Sequence, residues 1–213
     1  MLTCYGKLQT LKHGYTLPKN QDTRCILSID IKQIGPAFAV LVLSACTSLT
    51  APNYDVGYES STAIKKMGRT VSIGQFAEPK EYASMCRGVG RITPPEGLSV
   101  GGYIRRAFIE EFKAADAFEN NAKIALSGNI EKAEFSSSKG VVGGEWYFSI
   151  RLVSTNGKAL TVDEKYEFSA GFAGVTACGE TAVAFAPAVQ ALVRKTVTSP
   201  EFLGLISPEE APR

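Results

Sequence analysis

Five cysteines, a single histidine and four closely spaced arginines are where this chain carries residues able to do chemistry. The first of them is Cys46, preceded by Leu43, Ser44 and Ala45 at the end of the apolar stretch 37–46. An apolar residue and two small ones before a cysteine fit the bacterial lipobox: a membrane-embedded peptidase takes an extended small-residue segment, and the sulfur reaches a lipid donor at the bilayer surface. On this reading Cys46 is lipidated and becomes the first residue of the mature chain, with Lys32 as the positive charge of the signal peptide. The apolar run 34–45 is shorter than the roughly 20 residues of a transmembrane helix and contains Pro36. Translation beginning near residues 27–31, or a long unstructured leader, accounts for residues 1–30. Thr47 is not the Asp by which sorting bacteria commonly retain lipoproteins in the inner membrane, so the expected address is the periplasmic face of the outer membrane.

Removing residues 1–45 simplifies the remaining chemistry. Cys86 and Cys178 are then the only free thiols in an oxidising compartment, and both a disulfide and two buried thiols fit. The sole histidine, His13, lies in the removed segment. That excludes Ser-His-Asp and Cys-His nucleophile systems and His-ligated zinc from the mature chain, and no metal or cofactor is expected. Carboxylate-only or Ser-Lys hydrolysis stays open as an alternative. Five bases and two acids of the 23 and 21 lie before Cys46, leaving 18 against 19, a net charge of −1. Near-neutral balance without a long basic run argues against a nucleic-acid partner.

Arg87, Arg91, Arg105 and Arg106 form the densest basic group, and Gly88, Gly90, Gly101 and Gly102 leave backbone amides accessible among them. Such a set could hold an anion, for example a peptidoglycan carboxylate or a lipid headgroup, or contact a partner; the alternative is a solvated helix face. Glu110 and Glu111 project about 100° apart on a helix and read as surface charge. Trp146 and Phe148 alternate with Tyr147, which assigns the first two to a core and the third to the opposite face.

These residues need elements to position them. Residues 46–68, rich in Ser, Thr, Asn and Tyr, have the composition of a lipidated tether. A domain is expected over residues 69–206, followed by a polar tail at 207–213. It opens with a strand at 70–76 and an irregular connection at 77–98. Ser99 is a fitting N-cap for a helix to about Phe118, because Ile104, Ala107, Phe108, Phe112 and Ala115 recur at three and four. The two glycines in its first turns suggest a close approach to the backbone there. Residues 122–135 alternate as Ile124, Leu126, Gly128 and Ile130, then change parity to Ala133 and Phe135, which predicts a bulge. Trp146, Phe148, Ile150 and Leu152 share one face of the next strand, and Asn156-Gly157 signals a hairpin into a third. After a loop at 171–179, a second helix is expected at about 181–198. The expected class is α+β: a mostly antiparallel sheet of about four strands with two helices on one face, in the order β-α-β-β-β-α.

The helix sequence SVGGYIRRAFIEEFKAADAF at 99–118, the meander with Trp146 and Asn156-Gly157, Ala177-Cys178 and the run Pro187-Ala188-Val189-Gln190 resemble the YajG-like group of bacterial lipoproteins. More distantly, the layout is similar to the small periplasmic domains of LpoB-type activators of peptidoglycan synthases. The resemblance covers roughly residues 71–205 and implies an envelope lipoprotein. The expected partners are the membrane, through the lipid on Cys46, and another envelope protein bound without catalysis in envelope assembly or maintenance. Peptidoglycan is the alternative partner.

Overall fold

The computed structural model describes residues 48–140 and 142–208, all within the compact unit Ser44–Arg213. Cys46 and the apolar run before it lie outside the described residues.

The described chain is α+β. Its main sheet has four strands, β2 (Ser72–Ala77), β5 (Ala125–Lys139), β6 (Gly143–Ser154) and β7 (Ala159–Ser169), in the order β2-β5-β6-β7. The last three form an antiparallel meander, with Trp146 opposite Phe135 on one side and Tyr166 on the other. The parity change predicted in β5 is a register shift between Ile130 and Lys132. Gly157 turns the β6–β7 hairpin with φ of 82°.

The fourth strand departs from the expected antiparallel pairing. β2 joins β5 in parallel, Ser72 opposite Ala125, because the chain between them must return to the same end of the sheet. It returns through α2 (Val100–Ala114), so β2, α2 and β5 make a βαβ unit. Three further helices complete the layer: α3 (Gly174–Val183), α4 (Phe185–Thr198) and α5 (Phe202–Ile206). The even-numbered residues Trp146, Phe148, Ile150 and Leu152 of β6 are fully buried; of the odd-numbered ones, Arg151 and Val153 are exposed, Tyr147 is half-buried and Ser149 is buried. Trp146 Nε1 donates to the Thr181 carbonyl of α3 at 2.9 Å, which identifies the even face as the one under the helices. Phe185 wedges against both Trp146 and Phe148, with ring centroids 5.0 and 5.9 Å away. Together α3 and α4 are long and apolar enough to cross a membrane by length and composition, but their apolar residues are largely consumed in this core.

Three segments read as irregular are built into the fold. Residues 48–68, expected to be a tether, contribute β1 (Ser48–Thr50) and α1 (Tyr58–Met67), with Ala51, Tyr54 and Ile64 buried in the common core. The expected connection at 77–98 holds β3 (Met85–Cys86), β4 (Gly90–Thr93) and a 3-10 turn at Pro95–Gly97. These strands form a second, mixed sheet in the order β1-β4-β3, so the single-sheet expectation is corrected to two. The loop expected at 171–179 is largely α3, whose small residues Ala177, Cys178 and Ala182 let it lie close on the sheet. The α1 helix ends at Gly68, in the left-handed conformation at φ of 60°.

Candidate functional site

The four arginines are not assembled into one site. Arg105 lies along β2, its Nε donating to the Gly74 carbonyl at 2.7 Å and Nη2 to that of Ile73 at 3.2 Å. Arg106 pairs with Glu110 on its own helix at 2.8 Å and with Glu96 of the preceding 3-10 turn at 2.7 Å. Arg91 donates to Ser84 Oγ at 3.1 Å. Arg87, in the left-handed region at φ of 45°, reaches the far part of β5: its Nε donates to Ser137 Oγ at 2.9 Å, and its guanidinium also bonds the Ser137 and Phe172 carbonyls. Gly74 lies beside Leu126 and Ser127 at the start of β5, so about ten residues, roughly 30 Å of strand, separate the places where Arg105 and Arg87 dock.

The accessible amides expected at the start of α2 are occupied by the chain itself. The Glu78 carboxylate accepts from Gly101 N at 3.0 Å and from Ser99 Oγ, and Ser99 Oγ in turn accepts from Gly102 N at 3.1 Å. A carboxylate at this position meets the positive end of the helix dipole. A Cβ on Gly101 would lie 2.5 Å from Glu78 Oε1 and 3.0 Å from the Phe76 carbonyl, so the close approach inferred from the glycine pair is to β2 and the residues just after it.

Glu111, read as surface charge, is fully buried. Its Oε1 accepts from the Tyr54 hydroxyl at 2.7 Å and from Gly57 N, at the start of α1, at 2.6 Å; Oε2 has no hydrogen-bond partner among the described residues. The carboxylate thus accepts from the amide of the N-cap residue Gly57 itself, the bond that a capping-box glutamate would otherwise make from within α1. Burial raises the Glu111 carboxyl above its ordinary value, against the lowering effect of those two bonds. Burial first, and then the bond to Glu111, push the Tyr54 phenol up as well, keeping it a proton donor.

Cys86 of β3 and Cys178 of α3 form a disulfide across 92 residues of sequence, so of the two alternatives the structure contains the bridge. It fastens the small sheet to the helical layer. Among the described residues no group of three or more His, Cys, Asp or Glu is placed to hold a metal ion.

A cleft among the described residues lies elsewhere. An open depression of about 330 Å³ runs between the start of α1 and the middle of α4, with Tyr166 of β7 on its wall. Tyr58, at its rim, is 84% exposed. Arg194 and Glu59 pair across it at 3.1 Å, and Gln190 Nε2 donates to the Asp55 carbonyl at 2.6 Å. The cleft offers aromatic faces, phenolic hydroxyls, an amide and a solvent-exposed charge pair, a set suited to recognition. Sequence reasoning missed it because its α1 wall lies in the segment read as a tether.

No family model and no curated protein matches the chain. Among solved structures it is similar to a Xanthomonas campestris protein of the DUF330 family, at 7% identity over 74% of this chain and 95% of that one, with a TM-score of 0.48. A hypothetical protein from Chlamydia trachomatis matches at 10% identity over 65% of this chain and 97% of that one, TM-score 0.40. A candidate lipoprotein from Caulobacter crescentus matches at 12% identity, over 65% and 89% of the two chains, TM-score 0.34.

Proposed function

We propose that this chain is a lipoprotein of the bacterial envelope, anchored through Cys46 at the periplasmic face of the outer membrane, whose domain acts without catalysis by binding another envelope protein. The anchor rests on the Leu43-Ser44-Ala45-Cys46 sequence, and the YajG-like pattern of residues 99–118 belongs to the same reading. The observation that carries the binding role is the α1–α4 cleft, where an exposed tyrosine stands beside an arginine–glutamate pair. Tyrosine and arginine are the residues most enriched where protein partners contribute binding energy. Exposed Tyr58 meets no packing need of its own, whereas a partner covering the cleft would bury it.

A photo-crosslinking amino acid in place of Tyr58, introduced in living cells, tests this. A discrete crosslinked envelope protein that disappears with Arg194→Glu is the expected result. Crosslinking to peptidoglycan fragments instead would replace the protein-binding reading with the glycan-binding one. Peptidoglycan hydrolysis by the purified domain, abolished by a single Asp or Glu substitution, would overturn the non-catalytic reading.

A further inference from the structure

The pole of the molecule at which β1 begins has a distinctive surface. β1 runs parallel to β4 with Ser48 opposite Arg91, so the chain upstream of Ser48 leaves the sheet at the end where the β3–β4 turn projects. That turn is fastened by Arg87 to Ser137 near the end of β5 and to the Phe172 carbonyl beyond β7. Gly174, opening α3, faces the same turn: a Cβ there would lie 3.6 Å from Val89. Ala170 N donates to the Val142 carbonyl at 3.1 Å, bringing the β5–β6 turn to the same place. The segments that meet there carry four exposed apolar side chains: Phe172 at 82%, Val175 at 71% and Val142 at 63%, with Met85, at 49% exposure, on the face of β3 opposite Cys86. Arg87 and Arg91 flank them, and the partners described for both are neutral hydroxyls and carbonyls. Exposed apolar residues concentrated at one pole mark a contact surface.

We infer that this pole lies against the bilayer, with Phe172, Val175, Val142 and Met85 entering the interfacial layer and Arg87 and Arg91 facing lipid phosphates. The inference rests on the lipid-anchor reading, and chain length identifies the occupant. Only Thr47 separates Cys46 from Ser48, so the Cα atoms of the lipidated cysteine and of the first strand residue are at most about 7 Å apart. A long tether would let the domain present any face to the membrane; this connection keeps the β1 pole at headgroup depth. Apolar side chains beside basic ones are the composition that binds an anionic interface.

The test uses the full chain, produced with its own leader, purified with its lipid and reconstituted into vesicles of phosphatidylethanolamine and phosphatidylglycerol containing brominated phospholipid. Phe172→Trp and Val142→Trp place fluorophores at the pole, and Lys158→Trp places one at the opposite end of the long strands, near the β6–β7 turn. Wild type, whose only tryptophan is the buried Trp146, gives the baseline. Quenching by about half or more at both pole positions, and about a tenth or less at Lys158→Trp, is expected for side chains inserted into the interface. If Cys46 carries fatty acid but the pole variants are quenched no more than Lys158→Trp, the orientation is wrong and the anchor stands. If Cys46 carries no fatty acid, both are overturned.

Discussion

Glu111 places a carboxylate in the core at the junction of three segments, and its energetics are testable. A carboxyl with a higher pKa folded than unfolded binds its proton more tightly in the fold. Stability therefore falls as pH rises from the ordinary value of 4.5 through the raised one. Glu111→Gln keeps an acceptor for Tyr54 and Gly57 but cannot ionise, so its stability relative to wild type should rise in urea unfolding over the pH window that opens at the ordinary carboxyl value of 4.5. A constant difference across that window would show that Glu111 is not the titrating group. Glu111→Leu should cost about 1–3 kcal/mol at acidic pH, because it strands the Gly57 amide and the Tyr54 hydroxyl. None of this was legible from the residue itself: a glutamate beside Glu110 on an amphipathic helix carries no mark of burial, and its partners lie more than 50 positions earlier. Trp146 and Phe148 were legible, because strict alternation in β6 assigns each side chain a face.

At the scale of elements, the Cys86–Cys178 bridge holds a two-residue strand that could scarcely persist alone. Closing a loop of 92 residues gives about 4–5 kcal/mol in the chain-entropy account, so the Cys86→Ser/Cys178→Ser double variant should lose about 2–5 kcal/mol in denaturant unfolding. Gly101→Ala tests the docking of α2 on β2. It should cost about 1–3 kcal/mol, because the new Cβ displaces the Glu78 carboxylate from the helix start and crowds the Phe76 carbonyl, whereas Gly102→Ala, which meets only Ser99 Oγ at 3.1 Å and Leu98 at 3.8 Å, should cost less. The elements readable in sequence were those long enough to repeat a period: α2, α4, and the meander with its parity change. β1, β3 and β4, of three, two and four residues, are too short to display alternation, and β1 finds its partner 43 positions away, Ser48 against Arg91. In α1 only Ser60 and Ile64 are fully buried, too few to mark a stripe.

For the whole molecule, the boundary suggested by composition and the one set by packing differ. A chain starting at Arg69 lacks β1, Tyr54 and Ile64, leaves the β4 edge and the Glu111 carboxylate without their partners, and should show no cooperative thermal transition. A chain starting at Ser48 should unfold cooperatively; equal transitions in the two would refute the integration of residues 48–68. The far pole is fixed by Asn156, whose Nδ2 donates to the carbonyls of Gly204, Leu205 and Ser207 at 3.0, 3.1 and 2.7 Å. Ser48 and Ser207 are therefore held towards opposite ends of the long strands, of which the 12 residues of β6 alone span roughly 40 Å. Mechanically, a pull between those ends acts along the strands. At the Ser48 end it draws β1 along its own axis, so the β1–β4 ladder is loaded in shear, all its pairs together, instead of being peeled apart one at a time.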